Sequence, residues 1–111
     1  MKLPPDSEIE LRKLTHYLLV PLLKSDKSNW LGRGGYTLDN PQRLLADLRS
    51  QLLPLDATPS RSSKFGETLE IRGELIGPTG VPLLVRTIWL KDPLSGKIRF
   101  VTLIPLSKKS S

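Results

Sequence analysis

The strongest constraint on the fold lies between Leu69 and Ile104, where apolar and polar side chains keep strand time. Leu69, Ile71 and Leu75 are interleaved with Glu70, Arg72 and Glu74, the period of two expected for a strand with one buried and one wet face. Gly77-Pro78-Thr79-Gly80 follows and is a turn by composition. Val81 to Leu90 is nearly continuous in apolar residues, which predicts a central strand covered on both faces. Asp92-Pro93-Leu94-Ser95-Gly96 is the next turn, and Ile98 to Ile104 the last strand. These segments predict an antiparallel meander of three or four strands, with residues near 67–75, 82–90 and 97–104 paired in chain order.

Upstream the period changes. Asn40 is a suitable helix N-cap and Pro41 fits the first helical position, where a missing N–H costs little. Leu44, Leu45, Leu48 and Leu52 form an apolar stripe with Arg43, Asp47 and Arg49 outside it, and Pro54 closes the helix. Nearer the start, Ser7 and Glu10 have capping-box spacing. Leu11, Leu14 and Leu18 then line one face, and Pro21 ends that helix. Alternation at Ile9 and Leu11 leaves a short strand open as the alternative. Pro54 to Ser63, rich in Pro, Ser, Thr and Asp, reads as a linker between a helical half (about 1–53) and a strand half (about 66–105). Helices followed by strands predict α+β, with N-terminal helices packed on the three- to four-stranded meander. At 111 residues one core is the expectation, hence a single domain over 1–111 with a frayed tail at 107–111.

Composition removes several chemistries. There is no cysteine, which excludes disulfides and thiolate metal sites, and the single histidine, His16, excludes any site needing two imidazoles. No metal or other cofactor is expected. No stretch approaches the roughly 20 apolar residues of a membrane span, and Met1-Lys2-Leu3-Pro4-Pro5-Asp6 has no leader-like apolar run. The cytoplasm is the expected location, without a membrane partner.

The formal net charge is +6 and the isoelectric point about 9.9. Between Val81 and Ser111 there are six bases (Arg86, Lys91, Lys97, Arg99, Lys108, Lys109) and one acid, Asp92. A basic face attracts phosphate backbones and acidic protein surfaces alike, and plain solubility explains the surplus as well. Lys24, Arg72, Lys97 and Arg99 are the candidate nucleic-acid contacts.

Among shorter motifs, Gly32-Arg33-Gly34-Gly35 lacks the lysine and serine of a phosphate loop and reads as a flexible turn. Asp6, Glu8 and Glu10 are explained by a helix macrodipole. His16 lies off the leucine stripe, without a nucleophile near it in sequence, and reads as solvated or partly packed. Trp30 and Trp89 could stack on bases, although in so small a chain both are candidate core anchors. Arg86 stands out as a charge inside Leu83-Leu84-Val85-Arg86-Thr87-Ile88-Trp89-Leu90. A guanidinium there must either pair, with Glu70 or Glu74 on the neighbouring strand, or face an anionic ligand.

The chain also carries an ordered series of short motifs: Lys13-Leu14-Thr15-His16-Tyr17-Leu18-Leu19, Lys27 through Trp30, and Gly35-Tyr36-Thr37-Leu38-Asp39-Asn40. Phe65-Gly66, Arg72-Gly73-Glu74-Leu75, Gly77-Pro78, Gly80, Thr87-Ile88-Trp89 and Val101-Thr102-Leu103-Ile104-Pro105 continue it. The series resembles a domain-of-unknown-function family common in cyanobacteria. Its layout is similar to the compact ribonuclease toxins of the barnase, colicin and RelE type. That likeness implies a small cytoplasmic toxin-like domain of a bacterial toxin–antitoxin or conflict system, acting as a metal-independent RNase. Lys27, Arg86 and Thr102 would be the catalytic set, RNA the substrate and an acidic antitoxin a partner. The alternative is a non-catalytic module that binds an acidic protein or nucleic acid through the basic C-terminal half.

Overall fold

A computed structural model describes residues 1–19 and 27–106, apart from the side chains of His16, Tyr17 and Asn29. The expected end of the first helix at Pro21, the candidate contact Lys24 and the tail 107–111 lie outside the described residues.

The meander forms as the alternation predicts and gains one strand. β1 (Thr58–Ser63), β2 (Gly66–Ile76), β3 (Pro82–Lys91) and β4 (Ile98–Pro105) make one antiparallel sheet in chain order. β1 occupies most of the expected linker. Its side chains are all exposed and its register shifts between Pro59 and Arg61, so an edge strand held by backbone pairing carried no apolar signature to read.

The helical half covers one face of the sheet. α1 (Leu11–Lys13) runs into a π-helical turn, Leu14–Leu18. α2 is Ser28–Gly32, and α3 (Pro41–Asp47) runs into a second π-helical turn, Leu48–Leu52. Each wide turn closes with an i→i+5 bond, Leu19 N–H to Leu14 C=O and Leu53 N–H to Leu48 C=O, both 2.9 Å. The extra residue per turn lets adjacent leucines, Leu18 with Leu19 and Leu52 with Leu53, all point into the core.

Leu44, Leu48 and Leu52 are fully buried, with Leu45 packed at the margin. They meet the inward row of the sheet: Leu69, Ile71 and Leu75 on β2, Val85 and Trp89 on β3, Phe100 and Leu103 on β4. Three local expectations change. Leu11 is exposed while Ile9 takes a core position. Ser7 donates to Pro4 C=O at 2.7 Å, and Glu10 is the N-cap residue without a side-chain cap bond, so no capping box forms. Asn40 precedes Pro41 as expected, but its side chain faces backward, accepting from Thr37 N–H (2.8 Å) and donating to Gly35 C=O (3.0 Å). It closes the turn before α3 instead of capping the helix.

Asp47, expected outside the stripe, is buried. It accepts the Tyr36 hydroxyl at 2.6 Å and Arg43 Nε at 2.9 Å. Burial and the neighbouring carboxylate hold the Tyr36 phenol far above its ordinary range. The Tyr36 ring packs where a Cβ at Gly77 would stand, 2.7 Å from that position, so only glycine lets the β2–β3 turn approach. In the Gly32–Gly35 turn, Gly35 sits at φ 93°, a conformation open to glycine at little cost.

β3 is central, yet only its inward side is dry. Leu83, Val85, Thr87 and Trp89 are buried, whereas Leu84, Arg86, Ile88 and Leu90 alternate on a partly open outer face. The expected cover on both faces is absent because the helices occupy one side only. Inside, Trp89 Nε1 donates to Thr87 Oγ1 at 2.9 Å, and that hydroxyl donates to Ile71 C=O at 3.0 Å. Trp89 also meets the Phe100 ring edge-on at 5.4 Å.

Thr87→Val should strand the buried indole N–H and cost about 1–3 kcal/mol; a urea midpoint unchanged from the parent would contradict the relay. Tyr36 gives a pH signature. Its folded pKa lies above the unfolded value of about 10, so its contribution is complete below that pH and is lost as pH rises further. Thermal stability should therefore fall above about pH 10, and the fall should be shallower in Tyr36→Phe.

Candidate functional site

Register decides which expected site residues meet. β3 and β4 pair Arg86 with Ile104 and Ile88 with Thr102. Arg86 and Thr102 therefore share the outer face as diagonal neighbours, about 7–8 Å apart across the strands, although the Arg86 side chain turns the other way, toward Glu70 on β2. The classes of residue are those expected: a cation inside an apolar strand and a hydroxyl on its neighbour.

Lys27 reaches Thr102 from the helical half. The residue immediately preceding α2, it donates from Nζ to Thr102 Oγ1 at 3.1 Å. Burial lowers the Lys27 pKa, because removing water disfavours the ammonium form. Since the lysine donates, the Thr102 hydroxyl hydrogen stays available for another acceptor. The contact belongs to a row along the free edge of β4. Glu8 bonds the backbone of Ile98 and Phe100 (2.9 and 2.7 Å), and Lys13 Nζ reaches Val101 C=O at 3.4 Å. A pure edge-capping role for Lys27 is thus the competing account.

Arg86 is also paired, as its burial requires. Its Nε lies 3.6 Å from Glu70 Oε1, while Arg72 Nε holds the same oxygen at 2.6 Å. One carboxylate therefore serves two guanidinium groups that stand opposite each other in the β2–β3 register. Arg72 wins the short contact. The Arg86 side chain is 34% exposed, and its Nε has no hydrogen-bond partner among the described residues. A buried donor left without an acceptor is a costly feature in a fold.

The remaining candidates are spread out. Arg72 is exposed on the outer face, and Arg99 lies on β4 opposite Leu90. Lys97 and Arg99 line a separate cavity with Asp92 and with Asp6 and Glu8, so two carboxylates from the N-terminal segment offset the bases counted in the C-terminal half. The N–H groups of Ser95 and Leu94 hold the Asp92 carboxyl below the ordinary carboxylate range. Among the described residues, no three His, Asp or Glu side chains gather as a metal site, and no helix is long and apolar enough to cross a membrane.

Glu70, named from sequence as one of two partners for Arg86, proves to be shared. Glu70→Gln should leave Arg86 without a carboxylate and cost about 1–3 kcal/mol, between exposed and fully buried pairs. Equal urea midpoints for Glu70→Gln and the parent would show that the pair does not support the sheet.

No curated protein and no solved structure matches the chain significantly. The family model for the domain of unknown function DUF6883 matches residues 5–107, which takes in both helical and strand halves and all three of Lys27, Arg86 and Thr102. The chain belongs to the DUF6883 family.

Proposed function

We propose that this protein is a metal-independent ribonuclease of toxin type, acting in the cytoplasm as part of a bacterial conflict or toxin–antitoxin pair. The observation that carries the reading is the Lys27 Nζ to Thr102 Oγ1 contact, on the β4 side of the strand that holds Arg86 on the same outer face. Fold layout is only background, because layout does not confer activity.

In this mechanism Lys27, with its pKa lowered by burial, removes the proton from a ribose 2′-hydroxyl. The 2′-oxygen attacks the adjacent phosphorus, and the bond from phosphorus to the 5′-oxygen breaks. The products are a 2′,3′-cyclic phosphate and a 5′-hydroxyl, the leaving oxygen taking a proton from water. Arg86 offers its guanidinium to the charge that grows on the phosphoryl oxygens, and the Thr102 hydroxyl donates to one of them. An acidic partner covering the outer face would compete with RNA for the same cations.

The test is cleavage of single-stranded RNA without added metal, with the product ends identified. Arg86→Ala and Lys27→Ala should each lose about 10²–10³ in rate with the fold retained, and a 2′-deoxy substitution at the scissile position should stop the reaction. Binding of RNA without cleavage by the parent protein would instead favour a non-catalytic module.

A further inference from the structure

We propose that the groove between α2 and the start of β3 is a nucleobase subsite, with Trp30 stacking on a base of the strand whose phosphate lies at Arg86 and Thr102. The proposal rests on the phosphate-binding reading of that site and extends it to the neighbouring nucleotide.

The groove encloses about 470 Å³ and is lined by Trp30, Arg33, Pro82, Leu84 and Leu106, among others. That volume is within the range of about 300–1,000 Å³ usual for small-ligand sites. Trp30 is half-buried: part of its ring packs on the core and part lines the groove. The other tryptophan, Trp89, is fully buried and unavailable.

Position ties the groove to the phosphate site. Leu84 lies two residues before Arg86 on the same face of β3, about 7 Å along the strand. Leu106 N–H bonds Leu84 C=O at 2.9 Å, so the groove begins one row beyond Arg86 and Ile104. Lys27 and Trp30 are one helical turn apart. A phosphate held between Lys27, Thr102 and Arg86 therefore leaves its attached nucleoside at the mouth of an apolar slot with an aromatic wall. Arg33 adds a cation beside it, complementing the backbone charge. Apart from Arg33 and Trp30, the lining side chains are apolar. The slot can thus stack a base but has little with which to read its edge, and weak base preference is expected.

The experiment uses two uncleavable 2′-O-methyl pentanucleotides with equal phosphates, one carrying bases and one abasic, each end-labelled for anisotropy. The parent should bind the base-bearing strand at least about 10-fold more tightly, the usual scale of stacking on an aromatic side chain, with quenching of tryptophan fluorescence. Trp30→Ala should erase the ratio and Trp30→Phe should keep part of it. Leu84→Glu, at a position 38% exposed, provides a second block that leaves Trp30 in place and should also erase it. Arg86→Ala should weaken both strands and preserve the ratio. Equal affinity of the parent for both strands, or a ratio indifferent to Trp30→Ala and Leu84→Glu, overturns the subsite. Affinities for both strands that ignore Arg86→Ala overturn instead the phosphate reading on which it rests.

Discussion

Everything on the outer face depends on the register of β3. Leu83, Val85, Thr87 and Trp89 must all point inward, and a slip of one residue would send them to water and Arg86 into the core. Trp89 makes that slip prohibitive. Its large ring meets Phe100, and its N–H is satisfied only through Thr87 and the Ile71 carbonyl, a relay that exists in one register. The placement of Arg86 and Thr102 on one face is thus enforced from the opposite side of the sheet, by the inward residues of β3.

The outer face carries a tension that the core does not. Glu70 is shared by Arg72 and Arg86, and the shorter contact goes to the more exposed arginine. An arginine held by a bidentate partner would be fixed and neutralised. Here Arg86 is kept in place by a carboxylate at 3.6 Å, and among the described residues its Nε has no hydrogen bond. Lys27 donates to Thr102, and the hydroxyl that accepts this bond still has a hydrogen to give.

Much of the sheet was legible in sequence because alternation and turn composition report directly on a pleated, half-buried surface. β2, β3 and β4 fall within a residue or two of the expected bounds. β1 was not legible, since its six exposed residues look like any polar connector and only the free edge of β2 makes them a strand. Asp47 was misread for a related reason. Its neighbours on the helix announce a polar face, while the partner that draws it inward, Tyr36, lies eleven residues away across a turn. For the site, Arg86 was conspicuous as a charge in an apolar run. The Lys27–Thr102 contact spans 75 residues, a separation no local pattern encodes; the two residues are grouped in sequence only by likeness of layout to ribonuclease toxins, and nothing local marks Glu70's double duty.

The chain-order sheet has a consequence for how the molecule assembles. Every strand pairs with its sequence neighbour across a short connection, so each closure restricts few residues and loses little chain entropy. The exceptions are the links between the two halves, Glu8 to Ile98 and Phe100 and Lys27 to Thr102, which close loops of most of the chain. The outer edge of β4 is therefore finished only after the slowest of these long loops has shut, and until then Thr102 stands without Lys27.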